Sequence, residues 1–562
     1  MQTSLELSVT FPREVYDYGN RTSGEVHGVV LTKPHVVKLI LDLAGYTLDR
    51  DLTSLTLLEP SCGEGAFLVP VVERLLHSAH ERDVDIRSLG PAIRAFDIDE
   101  AHVEATRRAV DEVLRRGRVP AHVRRLLVHE WVKVGDFLLA TFDRPIDICV
   151  GNPPYIRIEQ VSPTLHAEYR RRYRSLYDRA DLYVAFIERG LALLSTHGVL
   201  SFVCADRWVL NKYGAPLRRI VAEDYQVRCY VDLHKASPFE SDVIAYPSIF
   251  VLARGNTAAV PVVTLSSGSA EECLQVVSAL ARKSPASSSG VSVAWYENWF
   301  RGDEPWTMGS PEQRSALRSL EERFEPIECS AHVGIGVATG LDRLFIVPSD
   351  IDIESDRLVP LVMRDDIEGG RVRTSKRSVI NAFQSNGGVV NLDEYPKLAA
   401  YLSKHASEIR GRHVAKKNPK AWFRTIDRVY PDLVSKPKLL IPDIAGANEV
   451  AFEPGHFHPH HNLYFVTSDV WDLEVLGGLL SSRVALFFVW SYALKMRGGY
   501  LRFQAQYLRR IRLPDPLRLP KALAQRIRKA FRLRDFPRLD ELALEAYGLE
   551  SLPPFDFVDT RK

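Results

Sequence analysis

The chain has 562 residues, with 46% apolar and 26% charged side chains, and 73 Lys/Arg against 71 Asp/Glu. That profile belongs to folded globular chains with sizeable cores, and it excludes disorder as the main state and collagen-like or mucin-like architectures. Six scattered cysteines with no CxxC pair exclude a disulfide framework and a zinc ribbon, and they fit a reducing cytoplasm.

The first twenty residues carry acids and no apolar h-region, so no signal peptide is expected. From residue 54 the chain alternates strands and helices. SLTLLEP (54–60) is an apolar strand running into Ser61-Cys62-Gly63-Glu64-Gly65, and a helical pattern follows. Next come the strand AIRAFDID (92–99), a long helix from Glu100 to Arg116, VKVGDF (132–137) and IDICVGNPPY (146–155). A helix from Asp181 to Leu194 precedes strands at 198–208, 229–234 and 248–254. This alternation predicts an α/β fold with a doubly wound, mostly parallel sheet, whose ligand site lies at the carboxyl ends of the strands.

Arg254-Gly255-Asn256 and the Ser/Ala-rich run at 284–290 read as a junction. The expected parts are therefore an α/β unit over 1–255, a junction over 256–310, a mixed α/β unit over 311–515 and a basic helical extension over 516–562, with a peripheral Pro-rich tail. The most apolar stretch, Val475 to Leu494, is interrupted by Arg483. Its uncharged part is far below the ~18 residues of a membrane span. It reads as a buried helix, and no membrane partner is expected.

Net charge is only +2, but its distribution is uneven. From Arg410 to Lys438 nine Lys/Arg face two acids, interleaved with Trp422, Phe423 and Tyr430. From Lys495 to Arg534 thirteen face one. Basic runs with interleaved aromatics in one half of a neutral chain point to a phosphate-binding face. Lys416, Lys417, Lys420, Trp422, Arg424, Arg497 and Arg502 are the candidate contacts. The cluster His456, His458, His460 and His461 lacks a fixed ligand spacing, and no metal is expected there.

Three strand ends carry candidate binding chemistry. Glycines between a strand and a helix, as at Gly63 and Gly65, let backbone approach a ligand. An acid after the next strand, in Phe96-Asp97-Ile98-Asp99, suits a ribose diol. Asp136 offers an acceptor for an adenine amino group, and Phe137 offers a ring to stack on the base. At the fourth strand end, Asn152-Pro153-Pro154-Tyr155 cannot extend a sheet. Its Asn side-chain oxygen and Pro153 carbonyl are two acceptors beside an aromatic plate, suited to gripping a planar –NH₂ group.

LEPSCGEGAFL (58–68) followed by GNPPY (151–155) resembles the amino-group DNA methyltransferases that use S-adenosylmethionine, in the motif order of their γ class. Thr32-Lys33-Pro34 resembles the family's upstream Thr-Pro element, and DRADLYVAF (178–186) resembles the helix after the catalytic loop. The resemblance implies a seven-stranded class I methyltransferase domain, with Thr32, Glu59, Ser61, Cys62, Gly63, Gly65, Asp97, Ile98, Asp136, Phe137 and Asn152 around the donor. It implies Asn152, Pro153, Pro154, Tyr155 and Phe239 at the target base. GIGVATG (334–340), Trp422-Phe423-Arg424 and Arg497-Gly498-Gly499-Tyr500 resemble pieces of a TaqI-like specificity domain. The function so implied is N6-adenine methylation of a flipped base in duplex DNA, in a type II restriction–modification system with a separate endonuclease. A cytoplasmic monomer is expected.

Four other readings carry less. A cytosine-amino methyltransferase shares the grip but usually has Ser in place of Asn152. A protein-glutamine methyltransferase carries NPPY without a large basic second domain. A fused nuclease with a (D/E)xK element is absent, since no lysine has an acid two positions before it. A pure DNA-binding module leaves NPPY unexplained.

Overall fold

The computed structural model describes residues 30–558 apart from 242–245, 257–258, 284, 289, 446–448 and 494–499. The chain divides into two compact units, one ending at Thr307 and the other beginning at Met308.

The first unit is built on one sheet. Its strands are β1 (Leu57–Glu59), β2 (Ile93–Asp97), β3 (Val132–Val134), β4 (Ile146–Gly151), β5 (Leu194–Ala205), β6 (Tyr225–Asp232), β7 (Pro247–Arg254), β8 (Ala259–Leu265), β9 (Ala286–Ser288) and β10 (Val291–Glu297). They lie in the order β3-β2-β1-β4-β5-β7-β6-β8-β10-β9. From β3 to β5 all pairs are parallel, whereas β7 runs antiparallel to β5 and to β6. The helices that wind the sheet are α1 (Pro34–Leu43), α2 (Leu68–Glu81), α3 (Glu100–Arg116), α4 (Ala121–Trp131), α5 (Pro163–Arg172) and α6 (Tyr183–Leu193).

Local chemistry explains these elements. Leu57, Leu58, Ile148, Cys149 and Val150 are buried, as parallel strands covered on both faces require. The Asp99 side chain accepts from Ala101 N and caps α3. The chain leaves β1 toward β2 on one side, while β4 pairs with its other edge. The carboxyl ends of β1 and β4 therefore flank the switch point, where a doubly wound sheet opens its ligand crevice.

The seven expected strands are present, but among the described residues the sheet has ten. Residues 256–310 are not a junction. The apolar run VPVVTL forms β8, which pairs in parallel with β6, and β10 and β9 extend the sheet from there. Composition misled here because Ser287 and Ser288 form an edge strand, where small polar side chains are tolerated. A unit ending at residue 255 would leave the β6 edge bare, so the compact unit runs to Thr307.

The second unit is mixed α/β. A six-stranded sheet contains His332–Ile335, Leu463–Thr467 and Lys438–Pro442, and a four-stranded sheet contains Arg377–Ile380, Leu358–Val362 and His458–Pro459. Its largest core gathers the helices Leu473–Leu480, Arg483–Tyr492, Lys521–Leu533 and Phe536–Tyr547. A Cβ on Gly477 or Gly478 would lie 2.6 Å from the Phe531 ring or 2.5 Å from Ile527, so these glycines permit the close helix contact. The tail is not peripheral: Phe555 is buried, 5.3 Å from the Phe487 ring and 5.4 Å from Trp490. Among the described residues no single helix is long and apolar enough to cross a membrane, and the bent pair at 473–492 lies in this core.

Candidate active site

The loop after β1 takes its shape from glycine and from neighbouring strand ends. Gly63 and Gly65 have φ of +50° and +92°, a region that L side chains rarely adopt. A Cβ on Gly65 would also meet the Thr106 backbone at 3.4 Å. Thr106 Oγ1, on α3, donates to Gly63 O at 2.6 Å. Asp97 accepts from Gly63 N at 3.0 Å and from Asp99 N at 2.9 Å, which ties the β2 end to the loop. Cys62 N donates to Phe96 O at 2.8 Å, and Ile98 is half-buried beside it in sequence.

Glu59 ends β1, is 1% exposed, and has one carboxylate oxygen without a hydrogen-bond partner among the described residues. Burial, and then the nearby Asp97 charge, pushes its carboxyl well above the usual range. A cationic ligand group at this point would relieve both effects.

The end of β4 is built differently. Asn152 Nδ2 donates to Val30 O at 2.8 Å and to Thr32 Oγ1 at 3.3 Å. Those bonds fix the amide, and Oδ1 is left buried with no partner among the described residues. Ser61 Oγ reaches back to Asn152 O at 3.2 Å, joining the glycine loop to this turn. Pro153 is buried and Pro154 half-buried.

Two further segments complete the site. The stretch around Thr32 pairs with that around Phe239: Lys33 N donates to Pro238 O and Glu240 N to Leu31 O, both at 2.9 Å. The Tyr155 ring lies 6.2 Å from Phe239 and 6.2 Å from Tyr183. Beyond NPPY the chain is anchored by Ile158 N to Ala180 O and by Leu182 N to Ile156 O.

The structure thus brings together Thr32, Ser61, Asn152, Tyr155 and Phe239, and separately Glu59, Cys62, Gly63, Gly65 and Asp97. Thr32, expected at the donor, is hydrogen-bonded to the Asn152 amide. One expectation needs correction. Phe137 is 1% exposed and packs against Phe142 and Phe186, so its ring is core rather than an open stacking face. The cause is Asp136, whose carboxylate caps Leu138 N and accepts from Tyr169 Oη at 2.5 Å, turning the chain inward after β3. Tyr213 was not foreseen: its hydroxyl lies 2.7 Å from that of Tyr183 and donates to Asp181 at 3.0 Å. Only a fold places residues so far apart in one network.

Comparison with known proteins places the sequence in a family. The description "Eco57I restriction-modification methylase" matches residues 126–239, from the β3 region to Phe239. Over 543 residues the chain is 44% identical to the type II methyltransferase M.BstVI of Geobacillus stearothermophilus, covering 94% of this chain and 97% of that one. The chain belongs to the type II methyltransferases of restriction–modification systems. The type II methyltransferase M.PaeR7I of Pseudomonas aeruginosa is 44% identical over 530 residues, covering 93% of this chain and 92% of that one. The solved structure of the type IIL restriction–modification enzyme MmeI in complex with DNA shares the fold, with a TM-score of 0.61 at 12% identity over 92% of this chain and 75% of that one.

The second unit of this methyltransferase sorts the basic candidates. Lys416, Lys417 and Lys420 are exposed and form no ion pair among the described residues. Trp422 is half-buried under the Arg410 guanidinium, 4.2 Å from its ring centroid. Arg424 stacks on Phe383, 5.4 Å from the centroid. Arg497 lies outside the described residues. Arg502 pairs with Asp443, which takes it out of the set of free cations. Much of the C-terminal run is neutralised likewise: Arg509 pairs with Glu328, Arg526 with Glu545, Arg528 with Asp472 and Arg532 with Glu474.

Proposed function

We propose that the protein transfers a methyl group from S-adenosylmethionine to the N6 amino group of an adenine flipped out of a specific duplex DNA sequence. The observation that carries this reading is Asn152 Oδ1, a buried acceptor with no partner among the described residues, held in place by its own amide donors beside the glycine loop and an aromatic pair. An unsatisfied buried acceptor is costly unless a ligand donor completes it, and an exocyclic –NH₂ is such a donor.

The residues fit the methyl donor. Gly63 and Gly65 form a strand-to-helix loop with room for close backbone approach, Asp97 lies beside it, and Glu59 offers an unpartnered carboxylate oxygen to the donor's ammonium. When bound, S-adenosylmethionine supplies an electrophilic methyl on a sulfonium. The protein's task lies on the other reactant. Adenine's amino lone pair is delocalised into the ring, so the nitrogen is a weak nucleophile. Acceptance of its hydrogens by Asn152 Oδ1 and the Pro153 carbonyl draws the nitrogen toward tetrahedral geometry and stabilises the positive charge that develops on it. Flipping the base costs a few kcal/mol, of which stacking on Tyr155 and Phe239 recovers roughly 1–3 kcal/mol.

The second unit supplies DNA contacts through Lys416, Lys417 and Lys420 and reads the target, in the manner of a specificity domain. The γ-class order of motifs supports this division, and the likeness to type II methyltransferases supports protection against a separate endonuclease. We place the enzyme in the cytoplasm as a monomer. Mass spectrometry of nucleosides, with long-read sequencing of DNA from an expressing host, tests the reaction. N6-methyladenine at one motif is the expected product, and N4-methylcytosine instead would overturn the base assignment.

Two substitution sets probe the site. Thr32→Val removes an acceptor from the Asn152 amide, and kcat should fall by roughly five-fold, equivalent to about 1 kcal/mol, while Thr32→Ser retains activity. Equal losses in the two variants would argue against this positioning role. Asp97→Ala should weaken donor binding by about 1–3 kcal/mol in calorimetry, through the lost ribose acceptor and the freed loop. Asp136→Ala should weaken it too, and should also lower Tm because it breaks the Leu138 and Tyr169 bonds. Unaltered donor affinity in both would displace the cofactor from this loop.

A further inference from the structure

Three groups distant in the sequence meet in the second unit. Asp342 follows the glycine-rich segment 334–340, and His460 and His461 follow the strand His458–Pro459. Backbone bonds hold the two segments together: Val337 N donates to Pro459 O at 3.0 Å, and His461 N donates to Val337 O at 3.1 Å. Asp342 Oδ2 then lies 3.1 Å from His460 Nε2, and His461 Nδ1 lies 2.8 Å from the same nitrogen. All three atoms fall within 4.8 Å of one another. The His460 side chain is 3% exposed, whereas Asp342 is 42% exposed and His461 is open to solvent.

Two imidazole nitrogens at that distance share either a proton or a cation, because two bare lone pairs repel. The far edge of His460 indicates which. Its Nδ1 and Asn462 Oδ1 are both buried and lack a well-formed hydrogen bond among the described residues, and the Asn462 side chain lies close enough to the imidazole to interact with it. Asn462 Oδ1 can only accept, so it calls for the proton on Nδ1 and leaves the Nε2 lone pair aimed at Asp342 and His461. An imidazole oriented through its second nitrogen is the usual posture of a metal-ligating histidine.

We propose that Asp342 Oδ2, His460 Nε2 and His461 Nδ1 bind one divalent first-row transition ion of the zinc class, four-coordinate, with water on the solvent side. Two imidazoles and one carboxylate suit such an ion, whereas magnesium and calcium favour oxygen ligands. The histidine spacing alone gave no such site, because the third ligand comes from 118 residues away. The ion has a structural task here. Ala338 exchanges bonds with Asp427, and Thr339 O accepts from Arg412, which also holds the Trp422 and Arg424 carbonyls. The ion therefore braces the loop against which the basic Arg410–Arg424 segment is fastened.

The site can be tested without reference to methyl transfer. The full chain, stripped with a chelator and dialysed against cobalt(II), should take up one equivalent and show the visible d–d bands of a four-coordinate site. His461→Ala and Asp342→Ala, with folding checked by circular dichroism, should each weaken cobalt binding by roughly 100-fold or more, and Asn462→Ala by about 10- to 100-fold. His456→Ala, exposed and outside the cluster, should bind as the wild type does. Absence of stoichiometric cobalt binding by the wild type, or binding that survives either His461→Ala or Asp342→Ala, would overturn the proposal and leave a proton-sharing network.

Discussion

Replacing Asn152 with alanine should abolish methyl transfer while leaving S-adenosylmethionine binding near its wild-type level. The amide is held by Val30 O and Thr32 Oγ1, so its oxygen is already in place before any substrate arrives. A fixed acceptor of this kind acts where charge develops, in the transition state. Loss of one such group typically costs ~3 kcal/mol or more, roughly 100-fold or more in kcat. Thr32 and Val30 would each lose a hydrogen-bond donor, but neither belongs to the glycine loop that Asp97 and Thr106 hold. Binding of labelled donor, paired with a methylation assay, separates the two effects. Near-normal turnover would remove Asn152 from the chemistry, and a parallel loss of donor affinity would mean that the turn supports the cofactor loop.

How much of this was legible in the sequence depends on the distance over which each feature is determined. β1 to β7 were visible because an apolar strand and its neighbouring helices are written locally, in runs and periodicities. The strand ends followed from the same reading, and so did the Gly63 and Gly65 loop and the Asn152 turn. Beyond that range the reading failed in physical ways. β8 was hidden inside a stretch whose glycine and serine content looked like a linker, although VPVVTL needed only a partner strand. Asp136 and Phe137 were found at a strand end, but the turn that Asp136 caps directs Phe137 into the core. The role of Thr32 as a fixed partner of Asn152 required a bond across 120 residues.

Charge shows the same limit. Thirteen basic residues against one acid over Lys495 to Arg534 looked like a phosphate face. The folded chain brings Glu328, Asp472, Glu474 and Glu545 to those arginines, and local counting cannot see partners tens to hundreds of residues away. An arginine already paired gains little from a phosphate, because it must first give up its carboxylate.

That distinction shapes the expected effect of removing Lys416, Lys417 and Lys420 together. These lysines are exposed, two on the short helix His413–Lys417 and one on the adjoining turn Pro419–Ala421, and no acid neutralises them among the described residues. If they meet phosphates, each releases counterions on binding, and the log–log salt slope should flatten by about one unit per lysine, about three in all. Affinity should fall about equally for cognate and scrambled duplex, because phosphates carry no sequence information. Arg502→Ala is the matched control: its guanidinium is held by Asp443, so the substitution should lower Tm and leave the slope nearly unchanged. Affinity for both duplexes across a salt series decides between the readings. An unchanged slope in the triple variant would make the lysines a solvated face. A loss confined to the cognate duplex would mean that they read base edges, since only contacts in the grooves distinguish one sequence from another.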